Sequence, residues 1–139
     1  MTRVLQDILL GSGNSDPLES RGDILVSRGS GKGILISAKR AIAAAGHTQS
    51  TGTQLTEQFN MVETSTAGTA DAVVLCSRVA DGYVQTVAHQ GTAILSVYPA
   101  LSQRFVGSAA NAAFLIASGV GATFYGVGEG VIVPTRFTK

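Results

Sequence analysis

The chain has no tryptophan, one cysteine, three prolines and little charge. A single thiol, Cys76, excludes an intrachain disulfide framework and a cysteine-based zinc site. Asp, Glu, Lys and Arg make up only 14 % of the 139 residues, against roughly 25 % in ordinary soluble domains. Net charge is +1, and no basic cluster exceeds the pair Lys39-Arg40. The electrostatic footprint of a protein that binds nucleic acid or an anionic membrane is therefore missing. No apolar run approaches the ~20 residues of a membrane span. The start, Met1 to Asp7, lacks the continuous apolar region of a signal peptide.

Motifs of catalysis are missing too. There is no nucleophile elbow G-x-S-x-G between a strand and a helix; Gly11-Ser12-Gly13 and Gly29-Ser30-Gly31 read as flexible turns. The run Gly29-Ser30-Gly31-Lys32-Gly33 invites a phosphate-loop reading. It fails because Gly33, not Ser or Thr, follows the lysine and a β run comes next. His47 and His89 are the only histidines, and neither has a carboxylate or second ligand at metal spacing in sequence. Both read as solvated turn residues. The nine acidic residues are scattered singly, so no acid/base pair is apparent. Arg21-Gly22-Asp23 reads as a turn into a strand, and Cys76 as an inert buried thiol on an apolar strand. The expectation is a protein that is not an enzyme, with no cofactor, metal or small-molecule substrate.

What is present is 45 % hydrophobic residues and a succession of short β runs punctuated by turns. Phe59–Thr64, Ala72–Cys76, Tyr83–Ala88, Ala93–Tyr98, Arg104–Val106, Phe114–Ile116, Ala122–Val127 and Val131–Val133 are the candidates. Ala72–Cys76 is apolar throughout, so it is expected to be buried on both faces. Lys39–Gly46 is Ala-rich and fits a helical turn by propensity, with a β run as the rival. The pattern predicts an all-β domain at 51–139, a β-sandwich or small barrel-like (jelly-roll or tripod-type) arrangement of short antiparallel strands. Residues 1–50 read as an N-terminal arm, a short hairpin and a linker. Val4, Leu5, Ile8 and Leu9 lie on one face of a short helix, and Ile24, Val26, Ile34 and Ile36 stud the hairpin. Too small to be stable alone, these pieces are candidate contacts with a capsid or a sister subunit.

Several motifs, in order, resemble a known family. Ala44-Ala45-Gly46-His47-Thr48-Gln49 precedes a Thr-rich link to Leu55. Phe59-Asn60-Met61-Val62-Glu63-Thr64 leads to Ala67-Gly68-Thr69-Ala70-Asp71-Ala72-Val73-Val74-Leu75. Gly82-Tyr83-Val84-Gln85-Thr86-Val87 and Gly91-Thr92-Ala93 follow, then Val97-Tyr98-Pro99-Ala100, Asn111-Ala112-Ala113 and Gly121-Ala122-Thr123-Phe124. This series resembles the small trimeric head-decoration (cement) and head-fibre proteins of tailed bacteriophages. Cys76 and Val131-Ile132 depart from the Pro and Trp common there. The resemblance implies a homotrimeric β-structured virion protein. It would be assembled in the host cytoplasm and sit on the outer surface of the capsid, bound to the major capsid protein. The alternative is a head-fibre or tail-appendage module that binds a host receptor or glycan. Tyr98, Ala112, Phe114 and Phe124 are the candidate trimer-packing residues.

Overall fold

A computed structural model describes residues 36–65 and 71–138. Every described strand belongs to the unit Ser37–Lys139. Among the described residues ten strands form two sheets. They are β1 (Ala38–Ala43), β2 (Thr53–Gln54), β3 (Phe59–Thr64), β4 (Asp71–Val74), β5 (Gln85–His89), β6 (Leu95–Tyr98), β7 (Arg104–Phe105), β8 (Phe114–Ile116), β9 (Val120–Gly128) and β10 (Val131–Thr138).

Over the first six strands the chain alternates between the sheets. β1, β3 and β5 stack as parallel neighbours in the larger sheet, and β2, β4 and β6 do the same in the smaller one. Each coil therefore contributes one strand to each sheet. Ala38 pairs with Phe59 and Phe59 with Thr86, so successive coils span 21 and 27 residues. This is a short two-sheet β-solenoid. After β6 the direction changes. β9 runs antiparallel against β5, β10 antiparallel against β9, and β8 antiparallel against β6.

The all-β class expected from the sequence is the class found. The expected sandwich or barrel of antiparallel strands is not: the first six strands are parallel, built by coiling. The period-2 pattern that identifies a strand is identical for parallel and antiparallel neighbours, so it carried no information on direction. The helical turn considered at Lys39–Gly46 is also replaced, by β1. Pairing with β3 overrides the helical propensity of its alanines, a weak preference of under 1 kcal/mol per residue. Residues 38–43 are thereby built into the same sheet as the main strands.

The core lies between the sheets. Gln85, Val87 and His89 of β5 point inward while Thr86 and Ala88 point outward, and Val62, Ala122, Phe124 and Ile132 join the inner layer. From the smaller sheet come Val73, Leu95, Val97 and Ile116. As expected, β4 is buried on both faces. Phe105, Phe114 and Phe124 form a triangle with ring centroids 5.5 to 5.7 Å apart, each tilted pair adding about 0.5–1.5 kcal/mol beyond burial.

One end of the core is closed by a short 3-10 helix, Ser77–Asp81, whose Val79 and Ala80 are buried. Its backbone lies directly on β9 at Gly126. A Cβ there would stand 1.8 Å from the Val79 carbonyl oxygen, so only glycine allows this approach. The helix stops at Gly82, which takes the left-handed conformation and donates its N–H to the Arg78 and Val79 carbonyls.

Candidate functional site

Several polar groups inside the solenoid hold turns. Gln85 accepts from the Cys76 N–H through Oε1 (2.9 Å) and donates from Nε2 to the Glu57 carbonyl (2.8 Å). Asn60 donates to the same Glu57 carbonyl at 2.6 Å. These bonds tie the connection before β3 to the 3-10 helix. His89, read from sequence as a solvated turn residue, is only 1 % exposed. Its Nε2 lies 2.6 Å from the Ala93 carbonyl and its Nδ1 accepts from the Gly91 N–H at 3.3 Å. That pair of partners is satisfied by the neutral ring with the proton on Nε2. The ring staples the turn between β5 and β6 from inside.

His47 sits on an exposed loop with Nδ1 3.5 Å from Oδ1 of Asp71, a carboxylate buried at the start of β4. The fold thus brings His47 a carboxylate far away in sequence. Among the described residues no group of three or more His, Cys, Asp or Glu side chains is placed to hold a metal ion. Cys76, expected to be fully buried, is only partly so. It follows β4 at a turn and does not belong to the strand.

The surface features that stand out are two open, apolar grooves. The larger, about 590 Å³, runs past Leu55, Val74, Leu75, Cys76 and Leu101. Its rim is fixed by two glutamines. Gln54 Nε2 lies 3.1–3.2 Å from the carbonyls of Leu55, Val74 and Leu75. Gln49 Nε2 donates to the Pro99 carbonyl (2.7 Å) and to Oδ1 of Asn111 (3.2 Å). Asn111 Oδ1 also accepts from the Ser102 N–H, and its own backbone is left-handed, a conformation that asparagine tolerates better than most residues.

The second groove, about 480 Å³, lies where β9 begins and β10 ends. Ile94, Leu115, Val120 and Phe137 line it, with Arg136. Ile94 and Leu115 are each 51 % exposed and Phe137 40 %. Arg136 lies over the Phe114 ring, its guanidinium carbon 4.1 Å from the centroid, and donates to the Leu115 carbonyl at 2.8 Å. It bridges the edges of the two sheets and caps a free carbonyl of the edge strand β8. The Phe137 ring covers Gly121 on the neighbouring strand; a Cβ at that position would collide with it.

The residues singled out from sequence are not gathered into one place. Val4, Leu5, Ile8, Leu9, Ile24, Val26 and Ile34 lie outside the described residues. Ile36 is described and 56 % exposed. Of the four candidates for trimer packing, Phe124 is wholly buried in its own chain's core, which leaves it no surface for a neighbour. Phe114 is half-buried and covered by Arg136. Tyr98 is half-buried and donates its hydroxyl to the His47 carbonyl at 3.3 Å. Ala112 is half-buried in the loop before β8. Sequence reading missed Ile94, Leu115, Arg136 and Phe137. For the first two a signal existed: both alternate with the buried residues Leu95 and Ile116, so each had to face outward.

The fold and its grooves define a class, a short β-solenoid with apolar surface open to solvent. No protein-family profile, curated protein or solved structure matches the chain.

Proposed function

We propose that this protein is a structural component of a bacteriophage virion, a capsid decoration (cement) protein that binds the head as a homotrimer and stabilises the shell. The observation that carries the reading is the pairing of low charge with exposed large apolar side chains. Leu101 (76 %), Val127 (63 %), Val106 (57 %), Ile94 and Leu115 all stand in solvent, on a chain with 14 % charged residues. Where such residues gather into a patch, as Ile94 and Leu115 do with Phe137, exposed apolar surface marks contact with other proteins. The family resemblance of Phe59–Thr64, Val97–Ala100 and Asn111–Ala113 supplies the kind of assembly. A trimer fits three-fold positions of an icosahedral shell, and three linked weak contacts gain roughly 10²–10⁴ over one by effective concentration. The protein's role is then mechanical: it holds neighbouring capsid subunits together and catalyses nothing.

The test is co-sedimentation of the purified protein with expanded capsids, together with its mass in solution. A trimer that saturates capsids at a fixed stoichiometry and raises their melting temperature supports the reading. A monomer that stays in the supernatant refutes it.

A further inference from the structure

The β9–β10 hairpin carries two complementary features at its opposite ends. At one end lies the groove of Ile94, Leu115, Val120 and Phe137, with Arg136 on its wall. Arg136 is held in place by the Phe114 ring and the Leu115 carbonyl. Among the described residues no carboxylate pairs with it. At the other end is the turn Gly128-Glu129-Gly130. Val131 pairs with Gly128 and Ile132 with Gly126, so Val127 is left between them as a bulge without a partner and stands 63 % exposed. Two residues on, Glu129 is exposed and makes no ion pair with a described cation. Nothing lies within 4 Å of where a Gly128 side chain would begin, so this side of the turn faces open space, while Gly130 is held to β7 by the Arg104 N–H at 2.9 Å.

One end thus offers an apolar side chain followed by a carboxylate. The other offers an apolar groove with an immobilised, unpaired guanidinium. The nine-residue β9 separates them by about 26 Å at ~3.3 Å per residue, so a tip cannot reach the groove of its own hairpin. We propose that the Val127–Glu129 tip of one copy docks in the Arg136 groove of the next. Val127 fills the space between Ile94, Leu115 and Phe137, and Glu129 pairs with Arg136. Such a contact is head-to-tail: it uses two different patches on each copy and ends only when the copies close into a ring. The proposal rests on the homotrimer reading and gives that trimer its joint.

The test is self-association of the full chain, read by sedimentation equilibrium and native mass spectrometry. Wild type is expected to form trimers. Glu129→Arg alters only the exposed turn, and Arg136→Glu alters the groove. A partly exposed ion pair contributes up to roughly fivefold per contact, and three contacts in one ring multiply that to about 10²-fold in the trimer dissociation constant. The double variant restores the pair with charges exchanged and is expected to recover most of the loss. Arg136 also contacts Phe114, so Val127→Asp, confined to the tip, supplies a variant that leaves the groove intact; it too is expected to weaken the trimer. Wild-type trimers that persist undiminished in Glu129→Arg and Val127→Asp overturn the hairpin joint while leaving the trimer standing. Monomeric wild type overturns both. Trimers unaffected by Glu129→Arg, together with capsid binding lost in Arg136→Glu, show the groove holding a capsid carboxylate, which overturns docking between copies.

Discussion

Gly126→Ala is the sharpest test of how the core is closed. Gly126 has no left-handed backbone, so alanine meets no conformational penalty there and the whole cost is steric. The added Cβ would lie 1.8 Å from the Val79 carbonyl oxygen and 2.8 Å from the Ala80 Cα. A carbon and an oxygen touch at a little over 3 Å, so the 3-10 helix and β9 must part by more than 1 Å. Neither is free to do so. The residue before the helix is bonded to Gln85 at 2.9 Å, its Ser77 carbonyl accepts from Gln103 at 2.9 Å, and Val79 is buried completely. Overpacking of this sort costs about 1–3 kcal/mol. For a unit of this size that is a fall in Tm of about 5–20 °C, read by thermal melting under circular dichroism. A Tm within 2 °C of wild type would mean that the helix slides away without cost, and the account of Gly126 as an obligatory gap would fall.

Other substitutions probe the polar and aromatic parts of the interior. His89→Ala removes the partners of the Ala93 carbonyl and the Gly91 N–H and leaves a cavity; a loss of about 2–4 kcal/mol is expected in urea unfolding, and one below 1 kcal/mol would show that the turn holds without the ring. Gln85→Leu keeps the volume but orphans the Cys76 N–H, and should cost about 1–3 kcal/mol. Its signature would be faster labelling of Cys76 by a thiol reagent, as the helix beside it loosens. Phe124→Ala breaks two of the three aromatic contacts and should cost about 3–5 kcal/mol, enough to leave much of the protein unfolded at 37 °C in a chemical-denaturation series.

The strands were largely legible in the sequence, because burial on one face imposes an alternation that a reader can see. Phe59–Thr64 and Phe114–Ile116 fall where expected, and the apolar run at Ala72 is indeed buried on both faces. His89 was legible in principle. It continues the inward series Gln85, Val87, and the alternation of β5 carries it inside one residue beyond the expected run Tyr83–Ala88. Strand direction was not legible. Coils of 21 and 27 residues have unequal connections, so no repeat period marks the solenoid. The grooves were hidden for another reason. Ile94, Leu115, Val120 and Arg136 come from four separate stretches, and only the meeting of β8 with the ends of β9 and β10 makes neighbours of them.

The reversal after β6 has a consequence for growth. A stack of parallel coils exposes, at its last rung, the template for another rung, and identical chains can add there without limit, as they do in amyloid. In this protein both ladders are closed at that last rung. The third parallel strand of each sheet, β5 and β6, is met by an antiparallel one, β9 and β8. The guanidinium of Arg136 then occupies a carbonyl on the free side of β8. The last rung of this three-rung solenoid therefore offers no parallel template to another copy.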